Sequence, residues 1–179
     1  MRVITGSAKG RRLQSPVGDD VRPTTDVVKE AVFSIIQFSV EGSRFLDAFA
    51  GSGQMGIEAL SRGAAKAYFI DSSRRSMNII KNNIKLCNFE DKAETVTADT
   101  LSYLSRTTEK FDIIFLDPPY QTGLLQAALE KVPDILAEEG VVICEHPKEE
   151  TLPEPVENLT LSKNYRYGKI VISVYTNSL

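Results

Sequence analysis

Apolar positions along this 179-residue chain recur with two different periods, and the changes of period mark its elements. Phe45 to Phe49, Ala67 to Ile70, Ala93 to Thr97, Ile113 to Leu116 and Val141 to Cys144 are short runs of the kind that form buried strands. Between them the period becomes helical. Gln54 to Ser61 is one predicted helix, closed by Arg62-Gly63. Arg74 to Cys87 is another, with Met77, Ile80, Ile84 and Cys87 facing inward. A short helix is expected near Leu101 to Leu104, and a longer one from Leu124 to Leu136 that Pro133 should kink or end. Repeated β-α units imply an α/β fold, a parallel sheet with helices on both faces.

Ahead of this series, Val28, Ala31, Val32, Ile35 and Ile36 share one helical face. Arg22-Pro23-Thr24-Thr25-Asp26 opens that helix with three good cap residues. Residues 3–14 read as a hairpin, V-I-T and R-R-L-Q around Gly6 to Gly10, followed by a polar loop from Pro16 to Asp20. After the proline-rich loop Pro147 to Pro155, Leu159 to Tyr165 and Lys169 to Tyr175 form a closing antiparallel pair. With no repeat or linker, residues 1–179 are expected to make one domain: an arm, 1–22, on a core, 23–179.

Composition changes this picture little. Hydrophobic and charged residues make up 42% and 25% of the chain, as in an ordinary globular protein. Met1-Arg2-Val3-Ile4 runs at once into Gly, Ser and Lys, so no signal-peptide core is expected, and no apolar run approaches a membrane span. Cys87 and Cys144, without C-x-x-C spacing, point to a reducing cytoplasm. One histidine, His146, and no ligand cluster leave no expectation of metal; a structural role is expected for His146. Charge is more informative by distribution than by its total of −3. Residues 1–22 set Arg2, Lys9, Arg11, Arg12 and Arg22 against only Asp19 and Asp20. A basic arm on an acidic body suits local contact with phosphates.

The chemistry concentrates where strands stop. Ile113 to Leu116 ends abruptly at Asp117-Pro118-Pro119-Tyr120. Neither proline has an N–H to extend a ladder, and Asp117 is held extended by the proline that follows it. The turn should sit at the carboxyl end of a central strand, where open α/β sheets bind ligands. One carboxylate, proline carbonyls and an aromatic ring suit a planar amine such as a nucleobase amino group.

A second turn, Asp47-Ala48-Phe49-Ala50-Gly51-Ser52-Gly53-Gln54-Met55-Gly56, joins a strand to a helix and satisfies the dinucleotide spacing Gly51-x-Gly53-x-x-Gly56. Asp71 ends the next strand, where a ribose-binding carboxylate belongs. NAD would need a pyrophosphate cradle. Asp47 beside the turn is unhelpful to pyrophosphate and helpful to an ammonium. Asp99, past the third strand, offers an acceptor to an adenine amino group or caps the helix that follows. The strand-end acids fit S-adenosylmethionine better than NAD. The candidate cofactor residues are Asp47, Gly51, Ser52, Gly53, Asp71, Ser72, Asp99 and Thr100.

D-A-F-A-G-S-G-Q-M-G-I-E-A-L-S-R-G-A, D-P-P-Y and R-P-T-T-D-V-V-K-E-A-V-F together resemble the bacterial 16S ribosomal RNA guanine-N2 methyltransferases that modify guanine 966. The resemblance runs from R-V-I-T-G to the closing Y-G-K-I-V-I-S-V-Y. It implies a Rossmann-like class I methyltransferase fold, seven strands with the last antiparallel. It also implies Asp71 on the ribose, Asp99 on the adenine, Gly51 to Gly53 on the methionine part, and Asp117, Pro118, Pro119 and Tyr120 on the target base. Lys9, Arg11, Arg12, Arg22 and Thr24 are the candidate RNA contacts, with ribosomal RNA or the assembling small subunit as partner. The alternatives are another acceptor amine (adenine N6, or a protein glutamine, against which Asp117 counts), an NAD-dependent oxidoreductase, and a binding module without chemistry.

Overall fold

The computed structural model describes residues 1–16, 24–154 and 156–178. Seven strands form one sheet: β1 (Arg44–Asp47), β2 (Lys66–Asp71), β3 (Ala93–Thr97), β4 (Phe111–Leu116), β5 (Leu136–Pro147), β6 (Leu159–Tyr167) and β7 (Ile170–Asn177). Their order is β3-β2-β1-β4-β5-β7-β6. Strands β1 to β5 run parallel, and β7 lies antiparallel to both β5 and β6. The strand order reverses between β1 and β4. That crevice is the switch point at which such sheets take ligands.

Five α-helices accompany the sheet: α1 (Asp26–Ile35), α2 (Gln54–Ser61), α3 (Arg74–Leu86), α4 (Thr100–Arg106) and α5 (Leu124–Leu129). Alternation along the strands divides the core in two. Phe45, Phe69, Ile113, Phe115 and Ile143 pack with residues of α1, α2 and α3. Leu46, Tyr68, Ile70, Ile114 and Leu116 pack with residues of α4 and α5.

Several elements differ from the sequence expectation; β5, for one, runs Leu136–Pro147 where Val141 to Cys144 was expected. The predicted helix from Leu124 ends at Leu129 instead of reaching Leu136. Pro133 lacks the N–H for another turn, and its ring would meet the Leu129 carbonyl four residues back. Pro133 instead opens a 3-10 turn, Pro133–Ile135, and Leu136 already belongs to β5. The hairpin of residues 3–14 is reduced to one antiparallel bridge, Arg2 opposite Arg12, flanked by Val3 N–H to the Arg11 carbonyl and Leu13 N–H to the Met1 carbonyl. Helix α1 buries Phe33 and Lys29 beside Val28 and Val32, which widens its predicted face.

Lys29 is held by partners. Its ammonium donates to the Arg2 carbonyl at 2.7 Å and lies 3.7 Å from Glu58, both side chains fully buried. Burial lowers the Lys29 pKa and Glu58 raises it, with burial the larger effect. Glu58 also accepts from the backbone N–H groups of Ile4 and Thr5 and from Arg62 Nε. The buried acid thereby fastens the amino-terminal arm to α2.

Candidate active site

A cavity of about 460 Å³ opens over the carboxyl ends of β1, β2 and β4 and the start of α4. The Gly51 turn forms its floor. Gly51 has φ +59°, a left-handed conformation that an L side chain resists. Among the described residues other than its two chain neighbours, none comes within 4 Å of where its Cβ would stand. Gly56 serves packing instead: a Cβ there would come within 2.4 Å of the Phe69 ring, so α2 can lie this close to β2 only with glycine.

The two acids beside this turn are committed differently. Asp71 accepts from Gly51 N–H through one oxygen and from Ser73 N–H through the other, each at 2.9 Å. These bonds shape the turn and hold the carboxylate at the cavity wall, where its remaining lone pairs can meet vicinal hydroxyls. Asp47 is buried, and its Oδ2 accepts from Gly56 N–H at 3.1 Å. Burial pushes its pKa up to about 8; Asp71 adds to the rise, and the Gly56 bond opposes it. A buried carboxyl with a raised pKa suits an arriving ammonium, which would favour its charged form.

Asp99 caps α4, accepting from the Ser102 N–H and hydroxyl through Oδ2, and also lines the cavity. Thr100 lines it too, but its hydroxyl donates to the Ala48 carbonyl at 2.6 Å. Ser52 and Ser72 border the cavity, whereas Gly53 lies behind it as the left-handed residue that starts α2. Phe49, within the glycine-turn motif, and Leu101, which no motif marked, supply apolar walls.

On the opposite side stand Asp117, Pro118, Pro119 and Tyr120. The Pro119 carbonyl accepts from the Thr122 hydroxyl at 2.9 Å. The Thr24 hydroxyl reaches Asp117 Oδ2 at 3.4 Å, and the Thr24 carbonyl accepts from Gln54 Nε2 at 3.1 Å. Thr24 therefore links the helix of the glycine turn to the D-P-P-Y turn, while Thr25 caps α1. The R-P-T-T-D motif gains a structural reason in this link.

The basic candidates are dispersed. Lys9 is exposed on the arm's turn, and Arg11 donates to the Leu86 carbonyl at 2.7 Å. Arg12 leaves the opposite side of the arm. Arg22 lies outside the described residues, as do residues 17–20 of the predicted loop. His146 bonds the Ser173 hydroxyl at 2.7 Å within the sheet and does not line the cavity. Asn83, unmarked by any motif, holds Gln14 of the arm and the Ser52 carbonyl together at 2.7 and 2.9 Å. Its only signal in the sequence was a polar residue at an inward position of α3.

The family model described as "Conserved hypothetical protein 95" matches residues 1–176. The chain belongs to that family. It is 39% identical over 98% of both chains to "Putative rRNA methyltransferase YlbH" of Bacillus subtilis. It is 35% identical to "Ribosomal RNA small subunit methyltransferase D" of Escherichia coli, over 98% of this chain and 89% of that one. The solved structure "Putative methyltransferase yhhF from Escherichia coli" superposes with a TM-score of 0.89 at 33% identity, covering 99% and 98% of the two chains. With relatives named as methyltransferases over nearly their whole length, the chain is a methyltransferase of the class I fold.

Proposed function

We propose that this protein transfers the methyl group of S-adenosylmethionine to the exocyclic N2 amine of a guanine in 16S ribosomal RNA, of the guanine 966 type, during small-subunit maturation. One observation carries the reading: a single cavity combines Asp47 and Asp71 on one wall with Asp117 and Pro118 on the other. The names of the relatives support ribosomal RNA as the acceptor.

The cavity fits this cofactor through its chemistry. Asp71 would hold the ribose hydroxyls, Asp47 the ammonium, the Gly51 turn the methionine part and Asp99 the adenine. When bound, the sulfonium supplies a methyl group already activated for transfer.

The target nitrogen is a poor nucleophile because its lone pair is delocalised into the ring. Asp117 and the Pro118 carbonyl accept its two N–H bonds and favour a tetrahedral nitrogen whose lone pair faces the methyl. As the nitrogen gains positive charge, the Asp117 carboxylate stabilises it and takes the proton it sheds. Tyr120 stacks on the base, a contact worth about 1–3 kcal/mol. Positioning and preorganised charge account for the acceleration. The base must be unpaired or turned out of its stack to reach the cavity.

The test is labelled methyl transfer to unmodified 16S ribosomal RNA and to small subunits lacking the modification, followed by mapping of the product base. N2-methylguanine at one site is expected. Methylation of adenine N6, or stabilisation by NADH and not by S-adenosylhomocysteine, would sink the reading.

A further inference from the structure

We infer that Arg2 and Arg12 together grip one phosphate of the RNA, next to the target nucleotide. This rests on the RNA methyltransferase reading and adds a site to it. The two arginines stand opposite each other in the antiparallel bridge of the arm. The flanking bonds, Val3 to Arg11 and Leu13 to Met1, make them a non-hydrogen-bonded pair. That is the cross-strand position with the closest side chains, and both leave on the same face. Like charges directly opposite each other destabilise a strand pair. The charge that relieves them locally is small: Arg2 Nε lies 4.0 Å from Asp26, and both side chains are more than half exposed. Such a pair contributes little. Among the described residues, no carboxylate forms an ion pair with Arg12.

Both arginines line a depression of about 490 Å³ together with Met1, Gly10 and Asp26. Met1 also lines the active-site cavity, so the two spaces adjoin. A nucleotide can place its base in one and a neighbouring phosphate in the other. Two guanidiniums on one face match a phosphodiester, which accepts several charge-assisted bonds at once. The arm beneath them is anchored, by the buried Lys29 ammonium on the Arg2 carbonyl and by Glu58 on Ile4 and Thr5. Arg11, adjacent in sequence to Arg12, is directed instead toward the carboxyl end of α3, where its Nη1 donates to the Leu86 carbonyl. The gripping pair is therefore Arg2 with Arg12, not Arg11 with Arg12.

The experiment measures affinity for an unmodified 16S ribosomal RNA transcript across a salt series, with Arg2→Ala, Arg12→Ala, Arg2→Ala/Arg12→Ala and Arg11→Ala. Two residues sharing one phosphate act as a unit. Each single variant and the double variant should lose affinity to a similar degree, and the salt slope should fall by roughly one counterion in all three. Arg12→Lys should recover only part of the loss, since an ammonium cannot make a bidentate contact. Arg11→Ala should bind as the unmodified sequence does. S-adenosylhomocysteine affinity should be unchanged throughout, which shows that the variants are folded. Additive losses with a slope falling by roughly two, no loss at all, or an equal loss in Arg11→Ala each overturn the shared phosphate. If the wild-type protein binds S-adenosylhomocysteine and neither the transcript nor small subunits lacking the modification, the RNA reading fails and this inference falls with it.

Discussion

The wall of the cavity made by β1 and β2 is assembled locally, and the wall made by β4 is completed from far away. On the first wall, Asp71 bonds the N–H groups of Gly51 and Ser73, and Asp47 bonds that of Gly56. Every partner belongs to the acids' own turns or the adjacent glycine turn. On the second wall, Asp117 is held extended by the proline after it, and the Thr24 hydroxyl reaches it across a 93-residue separation. A wall built from neighbouring bonds exists before any ligand arrives. A wall that needs Thr24 depends on α1 being docked and on Gln54 holding the Thr24 backbone. Cofactor binding and methyl transfer should consequently fail separately under mutation.

The largest separation is expected at Asp117. Asp117→Ala should abolish methyl transfer and leave S-adenosylhomocysteine binding intact. Asp117→Asn keeps an acceptor oxygen and loses the charge; a loss of ~2–4 kcal/mol for one preorganised group slows the step by about 10²–10³. Single-turnover rates with saturating cofactor measure both. A near wild-type rate for Asp117→Ala would mean the amine is held elsewhere.

Asp71→Ala should do the reverse. Losing charge-assisted bonds worth about 1.5–3 kcal/mol weakens cofactor binding about 10- to 150-fold. The same change orphans Gly51 N–H, so calorimetric titration should be accompanied by a thermal melt. If affinity holds, the first wall does not bind ribose.

Asp47 sharpens the comparison through pH. Its folded-state pKa, about 8, lies above the ordinary 3.8, so the unfolded chain binds fewer protons between those values. The stability it contributes is fully present below the ordinary carboxylate range and is lost as pH rises through about 8. The ligand-free protein should lose roughly 2–5 °C in Tm per pH unit at most over that window from this group. Asp47→Asn should flatten that part of the profile. A wild-type profile identical to that of the variant would show that Asp47 is ionised across the window.

The smallest effect is expected at Thr24. Its bond to Asp117, at 3.4 Å, is weak. Thr24→Val should slow transfer about 2- to 10-fold, the range for one modest hydrogen bond, with cofactor affinity unchanged. If cofactor affinity fell as well, the two walls would not be separable.

Local pattern was enough to delimit most elements, because strand and helix periods are written in consecutive residues. Gln54–Ser61 and Ala93–Thr97 match their predicted bounds. It also carried the proline that should kink or end the helix from Leu124, though not the end itself, at Leu129. It was also silent on polar residues whose partners are distant, such as Lys29, Glu58 and Asn83.

The amino-acid sequence by itself determined the two turns and their acids. A glycine turn after a strand and a carboxylate before two prolines are conformations set by neighbouring residues. Only the tertiary structure decided which arginine stands beside which, where Thr24 reaches, and that burial raises the pKa of Asp47. Those depend on separation in space and on burial, and both arise from packing between segments far apart in the chain.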